Sequence, residues 1–212
     1  MIHHKVAQNS PEWDALRLGK ITASNYGKFM ANYGKAFGDP AKEYALRIAL
    51  ERVTKGKSAY SFQSSHMERG HEMEPMARHL YSEANFVDVQ DGGFYDCGAW
   101  GCSPDGLVGA DGLIEIKSVV AKVHEATMDR GAPDPAYRWQ LVGALDASGR
   151  DWIDFVSYCS DFPEHLQLLT FRVTREDAVE DLEMLALRRL LFVDLVVEEV
   201  RKLQPARAEA RG

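Results

Sequence analysis

Two short stretches hold residue types able to do chemistry: Cys102-Ser-Pro-Asp-Gly-Leu-Val108 and, after Asp111-Gly112, Leu113-Ile-Glu-Ile-Lys-Ser118. Alternate side chains of an extended strand share a face, so Glu115 and Lys117 point the same way, roughly 6.5–7 Å apart along the strand. Leu113, Ile114 and Ile116 mark the segment as buried, and Asp105 arrives at the end of the preceding hairpin arm. Charges taken out of water carry a desolvation cost that something must offset. A divalent cation is one such offset. Asp105 and Glu115 are hard oxygen ligands suited to Mg²⁺, which prefers octahedral coordination and keeps several waters. That chemistry serves phosphodiester hydrolysis: the cation neutralises a scissile phosphate and lowers the pKa of a bound water, and Lys117 orients that water or stabilises developing charge. The alternative is a buried Glu–Lys ion pair with Asp105 in a turn. A Glu-x-Lys unit alone favours that alternative, and Ser103-Pro-Asp-Gly106 upstream reverses the preference.

The elements that must position these groups follow from periodicity. Phe86–Gln90, Gly93–Tyr95, Leu107–Val108, Leu113–Lys117, Ile153–Tyr158 and Leu166–Val173 are β-branched or aromatic runs bounded by Asp-Gly and Gly-Gly signals, and read as strands. Helices are expected at Glu12–Leu18, at Asn25–Ala31 with Ser24 as N-cap, near Ala41–Thr54, and at His66–Ala84, where Pro75 allows a second helix to start near Glu74. Lys55–Ser65 reads as a polar, mobile connection. Ala136–Ala147 carries Trp139, Val142 and Leu145 on one face, and Thr174 with Asp177 resembles the start of a closing helix to about Leu203. The apolar stripe of that last helix is wider than one core needs, so helix packing and a subunit interface are both open readings. The order of elements gives an α/β fold with a central mixed β-sheet flanked by helices.

With 212 residues, 45% of them hydrophobic and 27% charged, the chain fits a globular domain and excludes collagen-like and disordered classes. One domain is expected over 1–212. No stretch approaches the 18 apolar residues of a membrane span, and the N-terminal residues lack the apolar core of a signal peptide. Three cysteines cannot all pair, and a reducing cytoplasm is expected. The net charge of −7 hides a split: residues 1–60 carry 10 basic and 5 acidic side chains, and residues 61–212 carry 15 and 27. A polyanion could therefore meet the N-terminal part while the acidic remainder holds divalent cations. A random surface fluctuation accounts for the split equally well on charge alone. His71-Glu72 begins like the zinc-protease His-Glu-x-x-His, but Pro75 occupies the second histidine position.

Pro104-Asp105 followed by Glu115-Ile116-Lys117 matches the PD-(D/E)XK nuclease signature. The wider series is Ser10-Pro-Glu-Trp13, Leu16-Arg-Leu-Gly19, Ile21-Thr-Ala-Ser24, Glu68-x-Gly70-x-x-x-Glu74, Ser103-Pro-Asp-Gly106, Glu115-Ile-Lys117 and Tyr137-x-x-Gln140. In that order it resembles the bacteriophage lambda exonuclease and YqaJ-like viral recombinase family. The resemblance implies a PD-(D/E)XK nuclease-like core over about 61–175, a basic N-terminal DNA-entry segment over about 1–60 and a C-terminal helix over about 175–203. It implies Asp105, Glu115 and Ile116 as metal-holding positions, Lys117, Glu74 and Gln140 as catalytic partners, Arg17 and Ser24 as receivers of a terminal 5′-phosphate, and Met67 as a strand-separating wedge. For Met67, core packing is the competing reading.

The activity implied is a Mg²⁺-dependent 5′-to-3′ double-strand DNA exonuclease, with Mn²⁺ as a substitute, releasing 5′-mononucleotides and leaving a 3′ single-stranded tail for recombination. A homotrimeric ring around DNA ends, a single-strand annealing protein as partner, and the cytoplasm of a bacterial host of a phage or prophage complete the expectation. The alternatives are an endonuclease of the same superfamily and a noncatalytic DNA-end-binding recombination adaptor.

Overall fold

The computed structural model describes residues 1–57 and 65–204, with residues 65–72 described by backbone alone. The expected connection at Lys55–Ser65 therefore falls largely outside the described residues. In chain order the elements are β1 (Ile2–His4), α1 (Pro11–Arg17), β2 (Ile21–Thr22), α2 (Tyr26–Met30), α3 (Asp39–Thr54), α4 (Ser65–Asn85), β3 (Val89–Gln90), β4 (Phe94–Asp96) and β5 (Trp100–Cys102). They continue with β6 (Gly106–Val108), β7 (Gly112–Ser118), α5 (Ala121–Arg130), α6 (Arg138–Ser148), β8 (Trp152–Tyr158), β9 (Leu168–Thr174) and α7 (Val179–Leu203).

The strands form two mixed sheets. A five-stranded sheet runs β3-β6-β7-β8-β9, in which only β7 and β8 are parallel. A four-stranded sheet runs β1-β4-β5-β2, with β2 and β5 parallel. The α/β class and the central mixed sheet agree with the sequence reading. The second sheet is an addition, built from strands of two or three residues that carry no measurable alternation of their own.

β7 is the strand that matters, and its two faces meet different partners. Ile114 and Ile116 pack with Val156 and Tyr158 of β8 against Ala77 and Tyr81 of α4. Leu113 faces the larger core with Ile153, Phe155, Leu145, Tyr26, Tyr44 and Phe192. In that core Phe29, Tyr44 and Phe37 ring Phe192, with centroids 4.5, 5.5 and 5.8 Å away. Period-2 alternation thus puts Glu115 and Lys117 on the Leu113 face, toward α6. Neighbouring side chains leave no room for a Cβ at two glycines of these elements. A Cβ on Gly106 would lie 2.4 Å from Val89 Cγ1, and one on Gly143 of α6 would lie 2.6 Å from the Tyr26 ring.

Several local expectations are corrected. Ser24 is not a helix N-cap: it sits inside a 3₁₀ turn, Ala23–Asn25, that begins after Thr22, and α2 follows Asn25 with no side-chain cap. Of the proposed Phe86–Gln90 strand only Val89–Gln90 pairs, because Phe86 takes a left-handed φ of 55° and is 95% exposed. α4 runs through Pro75 as one helix, since proline removes a single N–H donor and the flanking turns remain bonded. The Thr174–Asp177 pair does form a reciprocal cap, with Thr174 Oγ1 donating to Asp177 Oδ2 at 2.5 Å and Asp177 N donating to Thr174 Oγ1 at 3.0 Å, but it closes a turn and α7 begins at Val179. No helix among the described residues is long and apolar enough to cross a membrane.

Candidate active site

The site forms just before β6 begins, where β7 continues past it. Asp105 N donates to Ile114 O at 3.1 Å, the last backbone rung between the two strands. One rung further, the Asp105 side chain takes the place of backbone: Ile116 N donates to Asp105 Oδ2 at 2.7 Å. The peptide groups of residues 114 and 116 face the same edge by strand parity, so the Ile116 carbonyl is presented beside the Asp105 carboxylate. Arg78 of α4 straps the turn from behind, donating to Asp105 O at 2.7 Å, to Gln90 O at 3.0 Å and to Asp91 Oδ1 at 2.7 Å.

Glu115 is 2% exposed. Its Oε1 accepts from Lys117 Nζ at 2.6 Å and from Gln140 Nε2, which lies in the first turn of α6. Burial pushes the Asp105 carboxyl up to about 6, with Lys117 opposing and Glu74 adding to the rise. Burial, then Asp105, pushes Glu115 up to about 7, with Lys117 opposing. Burial also raises Glu74, which feels Arg78, Glu115 and Lys117. Burial alone would lower Lys117, but Glu115 and Asp105 outweigh it and hold the ammonium above its ordinary value. Five residues named from the sequence, Asp105, Glu115, Lys117, Glu74 and Gln140, therefore share one neighbourhood.

That neighbourhood has more buried acid than cation. Asp105 Oδ1 and Glu115 Oε2 make no hydrogen bond among the described residues. No group of three or more His, Cys, Asp or Glu side chains among those residues is arranged to hold a metal. Two carboxylates and one backbone carbonyl nevertheless form an all-oxygen donor set, the kind a hard cation that keeps its own waters accepts and a caged zinc does not. The residues fit Mg²⁺ on that ground.

A second cluster adjoins the first. The Ser103 hydroxyl accepts from Arg17 Nη1 at 2.9 Å and from Trp13 Nε1 at 2.8 Å, and the Arg17 guanidinium lies 4.0 Å from the Trp13 ring centroid. One hydroxyl two residues from Asp105 thus fixes the arginine of α1. Burial lowers the Arg17 guanidinium, with Tyr44, Cys102 and Asp14 opposing. Tyr44 Oη accepts from Thr22 N at 2.9 Å and lies 3.5 Å from Thr22 Oγ1, which is in turn 3.5 Å from Ser24 Oγ. Lys28 and Arg47 stand 5.3 and 4.8 Å from the Tyr44 ring. Arg17 and Ser24 make no hydrogen bond to each other among the described residues, but Ser24 adjoins Thr22 and Arg17 feels Tyr44, with Lys28 and Arg47 close to the same ring.

Ser103, Trp13, Lys28, Arg47 and Tyr137 were not singled out as site residues from the sequence. The Lys117 ammonium lies 5.2 Å from the Tyr137 ring. The only sequence signal for Ser103, Trp13 and Tyr137 is their place inside the quoted motifs; Lys28 and Arg47 have none beyond the basic bias of residues 1–60. The Met67 side chain lies outside the described ones.

Residues 12–151 match the family model of the YqaJ-like viral recombinase domain. The crystal structure of an alkaline exonuclease, LHK-Exo, from Laribacter hongkongensis is 32% identical, with a TM-score of 0.81 over 92% of this chain and 96% of that one. The same protein in complex with dAMP aligns at 0.78 over 92% and 98% of the two chains. A phage-related exonuclease from Haemophilus somnus, 15% identical, shares the fold at 0.65 over 87% and 96%. The comparison with curated proteins gives no match.

Proposed function

The chain belongs to the YqaJ-like viral recombinase domain family, and on that premise we propose that it is a Mg²⁺-dependent 5′-to-3′ exonuclease of double-stranded DNA. The observation that carries the reading is the buried Glu115 beside the partly buried Asp105, two acids whose surroundings raise their pKa values and which stand next to the Ile116 backbone. Asp105, Glu115 and the Ile116 carbonyl would hold the cation, and Mn²⁺ meets the same donor set. When bound, the cation neutralises the scissile phosphate and eases deprotonation of the attacking water.

The chain's own groups do the rest. Lys117 holds the attacking water or the charge that develops on the phosphate. Gln140 fixes the Glu115 carboxylate without adding charge, since an amide donates while neutral. Glu74 reaches the same neighbourhood from α4 and completes the acidic wall. Arg17, held by Ser103 and Trp13, receives the terminal 5′-phosphate with Ser24, so the end of the strand is gripped next to the Asp105 turn. The likeness to an exonuclease solved with dAMP supports release of mononucleotides, and digestion from the 5′ end would leave a 3′ single-stranded tail.

Assembly follows the same reading. A trimeric ring closed around the duplex would let a net-acidic chain stay on a polyanion through many cleavages, enclosure replacing adhesion. Leu187, Leu190 and Leu191 of α7, each more than half exposed, support a subunit interface. A single-strand annealing protein would take the emerging tail in a phage-type recombination, within the cytoplasm of a bacterial host.

The test is linear duplex labelled separately at each end, incubated with Mg²⁺ and with chelator. Shortening of the 5′-ended strand, only with the cation, is expected. Digestion of covalently closed circles, or resection from the 3′ end, overturns the reading.

A further inference from the structure

Lys117 has a difficulty that the site around it does not resolve. Its one hydrogen bond among the described residues goes to Glu115 Oε1, the carboxylate that a cation must also use. Once Glu115 gives its charge to a cation, the ammonium loses much of what holds it. A lysine on a four-carbon stem then has rotamer freedom to leave the site.

The Tyr137 ring supplies a second hold that no cation competes for. Lys117 Nζ lies 5.2 Å from its centroid, within the range in which an aromatic face attracts an ammonium. The ring is itself fixed. It packs on Phe155 with centroids 5.4 Å apart and planes at 32°, and Phe155 is the β8 residue paired in register with Glu115. Its backbone closes a 3₁₀ turn, Pro135–Tyr137, in which Tyr137 N donates to Asp134 O at 2.9 Å and Ala136 N donates to Asp134 Oδ1 at 2.9 Å. The Tyr137 hydroxyl makes no hydrogen bond among the described residues, and it is not among their buried unpartnered atoms. The face of the ring, and not its hydroxyl, is what the site uses.

We propose that Tyr137 is the positioning residue for Lys117: its ring face, braced on Phe155, keeps the ammonium in the site when Glu115 is engaged elsewhere. This rests on the nuclease reading above. Tyr137 and Gln140 then divide one task from a single turn of chain, the amide holding the carboxylate and the ring holding the amine.

Two measurements test it. The first needs no activity: in protein labelled with ¹³C-lysine, the Lys117 Cε protons should resonate upfield from the ring current, remain so in Tyr137→Phe, and return to the ordinary lysine position in Tyr137→Leu. An unmoved signal in Tyr137→Leu overturns the proposal whether or not the protein cuts DNA.

The second follows turnover with Mg²⁺ and duplex ends. Tyr137→Phe should keep kcat within about three-fold, and Tyr137→Leu should lose roughly ten-fold in kcat with KM unchanged. Replacing residue 137 by mono-, di- and trifluorophenylalanine preserves shape and drains the ring face, so kcat should fall stepwise while thermal stability stays level. A flat fluorine series, a Phe variant as slow as the Leu variant, or a loss confined to KM overturns the proposal. If the unaltered protein fails to digest duplex while the Lys117 signal behaves as expected, the nuclease reading fails and the positioning contact stands.

Discussion

Neighbouring strands of the five-stranded sheet each bury a carboxylate, and the two are treated in opposite ways. Asp154 of β8 is 1% exposed and fully occupied: Arg172 Nε donates to Oδ1 at 2.8 Å, Arg172 Nη2 donates to Oδ2 at 2.9 Å, and Tyr81 Oη donates to Oδ2 at 2.7 Å. The guanidinium also lies 3.6 Å from the Trp152 ring centroid. Glu115 of β7 is as deeply buried, yet both of its donors share one oxygen and Asp105 stands nearby. Burial of an acid is therefore no mark of function in itself. What separates the two is whether the protein supplies the compensating charge or leaves it to be brought in from outside.

Removing the acids and the amine breaks the comparison most sharply. Asp105→Ala, Glu115→Ala and Lys117→Ala are each expected to lower turnover by about a thousand-fold or more, in the range of lost transition-state electrostatics. The two acid variants remove a mutual repulsion together with the hydrogen bonds from Ile116 N to Asp105 and from Lys117 and Gln140 to Glu115, so each should lose less stability than a variant that removes attraction alone. Asp154→Ala is that variant. It leaves Arg172 and Tyr81 without their acceptor and is expected to cost about 3–5 kcal/mol in urea unfolding, with the rate per folded molecule unchanged. Loss of stability in Glu115→Ala matching that of Asp154→Ala would erase the distinction.

Acidity sharpens it at the next level. The folded values of Asp105 and Glu115, about 6 and about 7, lie above their ordinary 3.8 and 4.5. An acid whose folded pKa is raised binds its proton more tightly in the folded state, so its contribution is complete below the ordinary value and is lost as pH rises through the folded one. Metal-free protein should lose on the order of a few kcal/mol between about pH 4 and pH 7 from this pair. Saturating Mg²⁺ should restore about 2–3 kcal/mol at pH 7 and above, at a hundred-fold excess over its dissociation constant. Melting curves across that range, with Asp105→Asn and Glu115→Gln as controls that flatten the slope, check both signs.

The smallest expected effect concerns the strand end. Arg17→Ala should reduce the preference for 5′-phosphorylated over 5′-hydroxyl ends by about ten-fold while leaving activity, in line with one charge-assisted contact. Equal digestion of the two ends by the unaltered protein would remove Arg17 from that role.

What could be read from the sequence follows the range of the signal. β7 is legible because seven residues suffice to show a buried run with two charges at alternate positions, and the hairpin before it is announced by Asp-Gly. Gln140 is legible only through its place in the Tyr137-x-x-Gln140 motif; periodicity shows the helix that carries it and not its role. β1, β2 and β5 are not, since two or three residues cannot establish a period, and they exist only because partners distant in sequence pair with them. The same holds for the clasp of Trp13 and Arg17 on Ser103, which spans 90 and 86 residues and leaves no local trace. Ser24 misled for a related reason: a small polar residue before a short apolar segment looks like a cap whether or not the chain uses its hydroxyl. α5 was missed altogether, its ten residues carrying only two buried positions, His124 and Thr127.

The bond from the Ile116 amide to the Asp105 carboxylate makes one side chain both a reagent and the last stitch of the sheet. Such a stitch cannot loosen without carrying the acid away with it. Solvent exchange of a single backbone hydrogen, at residue 116, would then report how often the centre is assembled, and a bound cation that steadies the carboxylate should slow that exchange.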